Sequence, residues 1–340
     1  MPGAKEEPTK RMLDPDRIRA AIPDVLTEAH FPELPNYYRG KVRENYDLAP
    51  ADSMGGRRIL ISTDRQSAFD QVLAAVPFKG QVLTETARFW FEATQDICPN
   101  HVLDYPDPNV VIGRRLSMLP VEMVVRDYLT GSTDTAIWPM YRDGKRKVYG
   151  VVLPDGLKKN DKLPGTILTP TTKAEQGGHD APITPQEIVA QGLLTQKQWD
   201  ELAALSLAIF ARGREIAAKN GLILVDTKFE FGLDEQGKIV LADEILTPDS
   251  SRYWNASSYA ARHGGGQEPE SLDKEFLRLW IAARCDPYKQ PIPEIPADTL
   301  VEFAQKYIAL YETVTAKSFV PPPAGEKVKD RIRRNLAKFF

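Results

Sequence analysis

One stretch restricts this chain more than any other. Val225-Asp226-Thr227-Lys228-Phe229-Glu230-Phe231 continues the apolar run Leu222-Ile223-Leu224, and Leu241-Ala242-Asp243-Glu244-Ile245 follows it closely. The β-branched and aromatic content reads as a buried strand. Side chains two apart on a strand share a face, so Asp226, Lys228 and Glu230 point one way. Thr227, Phe229 and Phe231 then point into a core. Asp234-Glu235-Gln236-Gly237 reads as the turn of an antiparallel hairpin. If those four residues form the loop, Lys228 faces Asp243 with Glu230 as its diagonal neighbour; a slip of one residue would put Asp243 on the other face.

Such a cluster has two readings. One face of an antiparallel sheet is often solvated and charged. Alternatively, paired carboxylates beside a lysine suit Mg²⁺ and phosphate, because Mg²⁺ takes one or two acids together with substrate phosphates. The clustering of charge between strongly apolar segments favours a metal–nucleotide site.

Composition narrows the class. At 340 residues the chain can bury a large core in one domain or two lobes. Its 44 basic and 47 acidic residues leave a net charge of −3, which argues against a general nucleic-acid or anionic-membrane binder. Cys98 and Cys285 match neither a metal-ligand spacing nor a disulfide framework, as expected in a reducing compartment. The stretch Met1 to Lys10 lacks the apolar core of a secretory signal, and no apolar run approaches the roughly 20 residues that span a bilayer. A soluble, cytoplasmic protein is expected.

Taken in order, residues 1 to about 30 form a charged leader with a short helix opened by Asp14-Pro15-Asp16. Tyr38-Arg39-Gly40-Lys41-Val42-Arg43 reads as strand–turn–strand, with Lys41 and Arg43 on one face; it suits a phosphate or an ordinary edge strand. Arg58 to Ser62 reads as a strand that delivers Thr63 to Asp70 as a polar loop, where Asp64 and Asp70 suit turns or caps. Val82 to Thr94 carries a helical apolar stripe, and Val110 to Ile112 and Val121 to Val125 read as strands. Arg126 and Ser132 offer phosphate donors, or Arg126 forms a structural ion pair. Residues 153–170 are proline-rich and loop-like. They lead to Thr171 to Asp180, dense in ionisable groups and glycine. Ile188 to Asn220 reads as two helices broken near Gly192 to Thr195. Thr247 to Trp254 is a polar turn whose Arg252 can reach the same site. His263 to Gly266 reads as a surface loop, residues 271–283 and 298–316 as helices, and the basic stretch from Pro321 as peripheral.

Together these runs resemble the SAICAR synthetase (phosphoribosylaminoimidazole-succinocarboxamide synthase) family over residues 35–318. The resemblance is carried by Tyr38-Arg39-Gly40-Lys41-Val42-Arg43, Ser62-Thr63-Asp64-Arg65, Ser67-Ala68-Phe69-Asp70 and Lys79-Gly80. It continues through Pro120-Val121-Glu122, Val124-Val125-Arg126, Gly131-Ser132 and Thr172-Lys173-Ala174-Glu175. Asp226 to Gly232 and Thr247-Pro248-Asp249-Ser250-Ser251-Arg252 complete it.

The resemblance implies an α+β, two-lobed, distantly kinase-like fold. Residues 1–122 would hold the leader and a β-rich ATP lobe, 123–320 a larger α+β lobe, and 321–340 a basic tail. It implies an ATP-dependent ligase of purine biosynthesis that joins L-aspartate to carboxyaminoimidazole ribonucleotide, with no nucleic-acid or membrane partner. Gly40, Lys41 and Arg43 would cover the ATP phosphates, and backbone near Met118 would hold adenine. Glu230 and Asp243 would bind Mg²⁺. Arg126, Ser132 and Arg252 would hold the imidazole nucleotide, with Lys228 near its polar groups. Lys173 and Asp180 would belong to a loop where nucleotide and amino acid meet. The alternatives are another ATP-dependent carboxylate–amine ligase, a small-molecule kinase or an inactive nucleotide-binding homologue. A kinase would be expected to carry an H-R-D catalytic loop, absent here.

Overall fold

The computed structural model describes residues 13–48, 55–69, 71–173 and 180–340; Asp70 and the 174–179 part of the glycine-bearing run lie outside them. The helix α1 (Pro15–Ala20) starts where the Asp14 carboxylate accepts the Asp16 amide. Then come β1 (Tyr37–Arg39), β2 (Arg43–Asp47), β3 (Arg57–Ser62), the hairpin β4 (Arg65–Ala68) and β5 (Gln71–Ala75), and α2 (Lys79–Ala93). β1, β2 and β3 with β6 (Val102–Asp107) and β7 (Val110–Arg114) build a five-stranded antiparallel sheet of order β1-β2-β3-β7-β6, while, among the described residues, β4 and β5 pair only with each other. The run after Ser62, expected as a loop, is thus largely the β4–β5 hairpin. Asp64 does act as a cap, accepting the Leu26 and Gly80 amides.

The second half begins with β8 (Ser117–Met118) and β9 (Val121–Tyr128). There follow α3 (Ile137–Arg142), the small hairpin β10 (Lys147–Val148) and β11 (Val151–Val152), β12 (Lys162–Leu168) and β13 (Thr171–Thr172). Next are α4 (Pro185–Ala190), α5 (Gln196–Lys219), β14 (Leu222–Leu233), β15 (Ile239–Ala242) and β16 (Ser251–Asn255). The chain closes with α6 (Ala256–Gly264), α7 (Glu275–Ala282), α8 (Ala297–Thr315) and α9 (Val328–Asn335). The break between α4 and α5 follows the sequence closely: Thr184 with Glu187 and Thr195 with Gln198 form two capping boxes.

The 12-residue β14 is the spine of a seven-stranded sheet. One edge pairs with β9 and β8, the other with β16 and then β15. Its buried face meets α5, where Phe229 and Phe231 pack with Ile209 and Phe210. Transfer of such side chains from water supplies roughly 1.5–3 kcal/mol each. Gly213 of α5 sits so near this sheet that a Cβ would come within 2.8 Å of Leu246 Cδ1.

Three expectations are corrected here. Residues 153–170 are not all loop, because β12 pairs with β9; the ladder breaks between Lys162 and Ile167, around Pro164 and Gly165, which weaken a strand's signature. His263 and Gly264 end α6 rather than forming a loop, with Gly266 at φ +68° just beyond. The tail is not peripheral: α9 buries Ile332 and Leu336 against Ile59, Ile61 and Ile112 of the first sheet. Arg331 there donates to Asp107 through Nε at 2.9 Å and Nη2 at 3.0 Å.

Candidate active site

Ladder register assembles the first cluster. Asp226 lies opposite Arg126 on β9 and opposite Arg252 on β16, so one carboxylate sits between two guanidinium groups. Arg126 Nη1 donates to Asp226 Oδ2 at 2.8 Å, and Arg252 Nη1 donates to the same oxygen at 2.6 Å. Arg126 also donates to Thr169 Oγ1 at 2.8 Å. Burial lowers the Arg126 pKa, only partly countered by Asp226. Burial also opposes the charge of Arg252, but Asp226 and Glu275 outweigh it and raise that pKa. Ser132 joins through Glu275, to which its hydroxyl donates at 2.8 Å and Arg252 Nη2 at 3.3 Å. Gly131 makes this approach practicable: its φ is +101°, and a Cβ would lie 3.2 Å from Arg252 Nη2.

Further along the same face, Lys228 donates to Glu122 at 2.8 Å and also to Glu230. Glu230 accepts from Lys173 as well. Glu122 arrives by continuation of the β9 ladder, whose last paired position is Phe229 with Met123. Its other oxygen accepts the Thr171 hydroxyl at 3.0 Å. Burial raises the Glu122 pKa, with Lys228 pulling against it. Burial opposes the charges of Glu230 and Lys228 too, but their mutual pairing wins. Glu230 is therefore held well below the usual carboxylate range and Lys228 well above the usual lysine range.

The hairpin differs from the four-residue loop drawn from the sequence. Leu233 pairs with Ile239, so five residues, Asp234 to Lys238, form the loop, with Gly237 at φ +74°. Glu230 faces Ala242, and Lys228 does not face Asp243. The slip does not remove Asp243 from the site, because β15 ends at Ala242 and Asp243 adopts φ +61°. That left-handed residue leaves the alternation of the strand. Its carboxylate meets Arg43, and its carbonyl lies 3.2 Å from His101 Nε2.

The first sheet closes the site from the other side. β1 and β2 pair antiparallel around residues 40–42, and the Gly40 amide donates to the Arg43 carbonyl at 2.8 Å. Arg43 pairs with Asp243 and, at 3.4 Å, with Glu244. Burial works against its charge, but these two acids outweigh it and raise its pKa. Met118 lies on β8, opposite Gly232, in the segment that joins the two sheets.

Between the sheets is a cavity of about 560 Å³, whose walls include Lys41, Arg126, Asp180, Lys228, Arg252 and Lys274. Gly40, Arg43, Met118, Ser132, Lys173, Glu230 and Asp243 are not among its lining residues. Sequence reasoning passed over several residues here. Lys274 and Arg278 lie one helical turn apart at the start of α7, a basic i, i+4 pair that was legible but unused. Burial, then the Arg278 charge, lowers the Lys274 pKa to about 8. Lys79, fully buried, donates to Asp249 at 2.7 Å, and the Tyr307 hydroxyl donates to the other oxygen. This ties the turn before β16 to α2 and α8.

Glu230, Asp243 and Glu244 are the acids whose chemistry suits Mg²⁺. Among the described residues no group of three or more His, Cys, Asp or Glu side chains is placed to hold a metal. A Mg²⁺ ion that shares its shell with phosphate needs only one or two carboxylates, so the donor set fits. Lys173, Lys228 and Arg43 now neutralise those acids.

Comparison with known proteins places the chain in a family. The family model described as SAICAR synthetase matches residues 36–295. A relative from Agrobacterium fabrum is 60% identical over 316 residues, covering 93% of this chain and 98% of that protein. The phosphoribosylaminoimidazole-succinocarboxamide synthase of Legionella pneumophila strain Paris is 50% identical over 320 residues, covering 94% of this chain and 100% of that one. The SAICAR synthase from Saccharomyces cerevisiae complexed with SAICAR superposes with a TM-score of 0.73 at 31% identity, over 86% of this chain and 99% of that one. A type-2 SAICAR synthetase in complex with ADP gives a TM-score of 0.63 at 26% identity, over 84% and 100%. This chain belongs to the SAICAR synthetase family.

Proposed function

We propose that the chain joins L-aspartate to 5-amino-1-(5-phosphoribosyl)imidazole-4-carboxylate, forming SAICAR, ADP and phosphate in purine biosynthesis. The observation that carries this reading is the cavity between the sheets, where one face of β14 presents an arginine-flanked acid beside a lysine–carboxylate network. The imidazole carboxylate cannot be attacked directly, because its leaving group would be oxide. An oxygen of that carboxylate attacks the γ-phosphorus of ATP and ADP departs. The amine of aspartate then attacks the acyl carbon of the acyl phosphate and loses a proton, and phosphate leaves. Catalysis rests on placement and on neutralising negative charge.

Gly40, Lys41 and Arg43 would cover the ATP phosphates, and backbone at Met118 would meet adenine between the sheets. Arg126, Arg252 and Ser132 would hold the phosphate of the imidazole nucleotide, supported by Lys274 and Arg278. Lys228 stays protonated, so it serves as a fixed cation near the nucleotide rather than as a proton acceptor. Lys173 and Asp180 would act where nucleotide and aspartate meet. Glu230 and Asp243 would hold Mg²⁺, which when bound neutralises phosphate charge. Lys173 and Arg43 would then turn from these acids toward phosphate oxygens. Both cysteines are unpaired, which suits a reducing compartment, and we place the enzyme in the cytoplasm. Among the described residues no helix is long and apolar enough to cross a membrane.

The test is ADP production with ATP and Mg²⁺, omitting aspartate or the imidazole carboxylate in turn, with product mass recorded. ADP and a succinocarboxamide product should appear only when both are present. ADP release without either substrate would overturn the reaction.

A further inference from the structure

The turn between β1 and β2 has an organiser that the reaction scheme leaves unused. Arg65, at the start of β4, is 3% exposed, and its neighbour Glu44 is fully buried. A guanidinium carries five N–H donors in a rigid plane. Here each meets an acceptor. Nε donates to the Lys41 carbonyl at 3.0 Å, and Nη2 donates to the Gly40 carbonyl at 3.0 Å and the Arg43 carbonyl at 3.3 Å. Nη1 donates to the Thr27 carbonyl at 2.6 Å and to Glu44 Oε1. The remaining carbonyl of the turn, that of Val42, accepts from the Thr63 amide at 3.0 Å and the Thr63 hydroxyl at 2.7 Å. All four carbonyls from Gly40 to Arg43 are therefore occupied by Arg65 or Thr63, that of Arg43 also by the Gly40 amide.

In a planar trans peptide the N–H of a residue points opposite to the preceding C=O. Holding the Gly40 and Lys41 carbonyls on Arg65 thus sends the Lys41 and Val42 amides the other way. Consecutive amides on one side of a turn form a concavity for anions, and carbonyl oxygens facing the same place would repel them. We propose that Arg65 is a positioning residue for ATP: it never touches the nucleotide, but it withdraws the carbonyls of the 40–43 turn and so aims the Lys41 and Val42 amides at the phosphates. The inference rests on the ATP site assigned under the proposed function. Gly40 belongs to the same device, since a Cβ there would sit 3.3 Å from the Arg43 carbonyl.

Arg65→Lys separates positioning from simple structural support. Lysine keeps a cation beside Glu44 but has three donors on one point and cannot span the carbonyls. The variant should raise the KM for ATP and the dissociation constant for ADP, read by calorimetry, by about tenfold or more. The KM values for aspartate and imidazole nucleotide should stay within about twofold of their starting values. An unchanged ADP dissociation constant, or an equal rise in all three KM values, overturns the proposal.

A second measurement needs no variant. In the ¹⁵N-labelled full chain, ADP should shift the Lys41 and Val42 amide protons downfield, whereas adenosine, which lacks phosphate, should leave them in place. Amides unmoved by saturating ADP sink the proposal even if ligase activity is present. Shifted amides without a succinocarboxamide product leave this inference standing and remove the ligase reading.

Discussion

At the scale of single residues, the site is a set of charges already matched before any substrate arrives. Glu230 accepts from both Lys173 and Lys228. Removing its charge should leave Lys228 paired with Glu122 and the fold nearly intact. Glu230→Gln is therefore expected to lower kcat by about tenfold to a hundredfold with little change in Tm. Unchanged turnover at saturating Mg²⁺ would take Glu230 out of the metal site. Lys274 supplies a pH dependence of definite sign. Its pKa of about 8 means that it is charged below pH 8 and loses its positive charge as pH rises through that value. The kcat/KM for the imidazole nucleotide reports the free enzyme and should fall on the alkaline side of about pH 8. Lys274→Arg should move that limb upward, and an alkaline limb identical in both proteins would exclude Lys274 as its source.

The residue scale also shows what a sequence can reveal. Alternation placed Asp226, Lys228 and Glu230 on one face because a strand has a fixed period of two. No such period connects Lys79 to Asp249, 170 positions away, or α7 to the cavity. Those meetings are made by packing, and only the folded chain displays them.

At the scale of elements, legibility followed local chemistry. α4 and α5 were readable because their caps are written beside them as Thr184 with Glu187 and Thr195 with Gln198. The β14–β15 register was not, because adding Lys238 to the loop changes no local signal yet shifts every cross-strand pair by one. β12 hid behind Pro164, and α9 hid behind its charge. The basic face of α9 is an attachment as well as a solvated surface, since Arg331 neutralises a buried Asp107. Truncation after Ala324 should take Arg331 from that carboxylate and Ile332 and Leu336 from the first sheet's core, at about 3–5 kcal/mol, and lower Tm by about 4–7 °C. Adding Asp107→Asn to the shortened chain should recover part of the loss. Melting curves check both, and a truncated chain that melts with the full-length protein would show that α9 contributes nothing.

At the scale of the whole molecule, the cavity belongs to both sheets. Lys41 and Ser67 come from the first sheet and its hairpin, Arg126 and Lys228 from the second. Between the sheets, the His101 amide, just before β6, donates to the Leu241 carbonyl of β15 at 2.9 Å. A nucleotide bound there should stabilise the chain as a unit. ADP at about a hundred times its dissociation constant should add about 2.7 kcal/mol and raise a single melting transition. Two transitions, only one of them moved by ADP, would show that the lobes melt independently. The two-lobed plan was legible through the family resemblance, while the return of the last helix to the first sheet was not.

That return sets an order in time. Protein synthesis releases the N-terminal strands first, yet Ile332 and Leu336 belong to the same core as Ile59, Ile61 and Ile112. The partners Arg331 and Asp107 stand 224 residues apart. While the ribosome is still translating the second sheet, the first waits with one side of its core unclosed. The half of the molecule that is made first is finished last, and a message cut short near its end leaves the beginning of the protein incomplete.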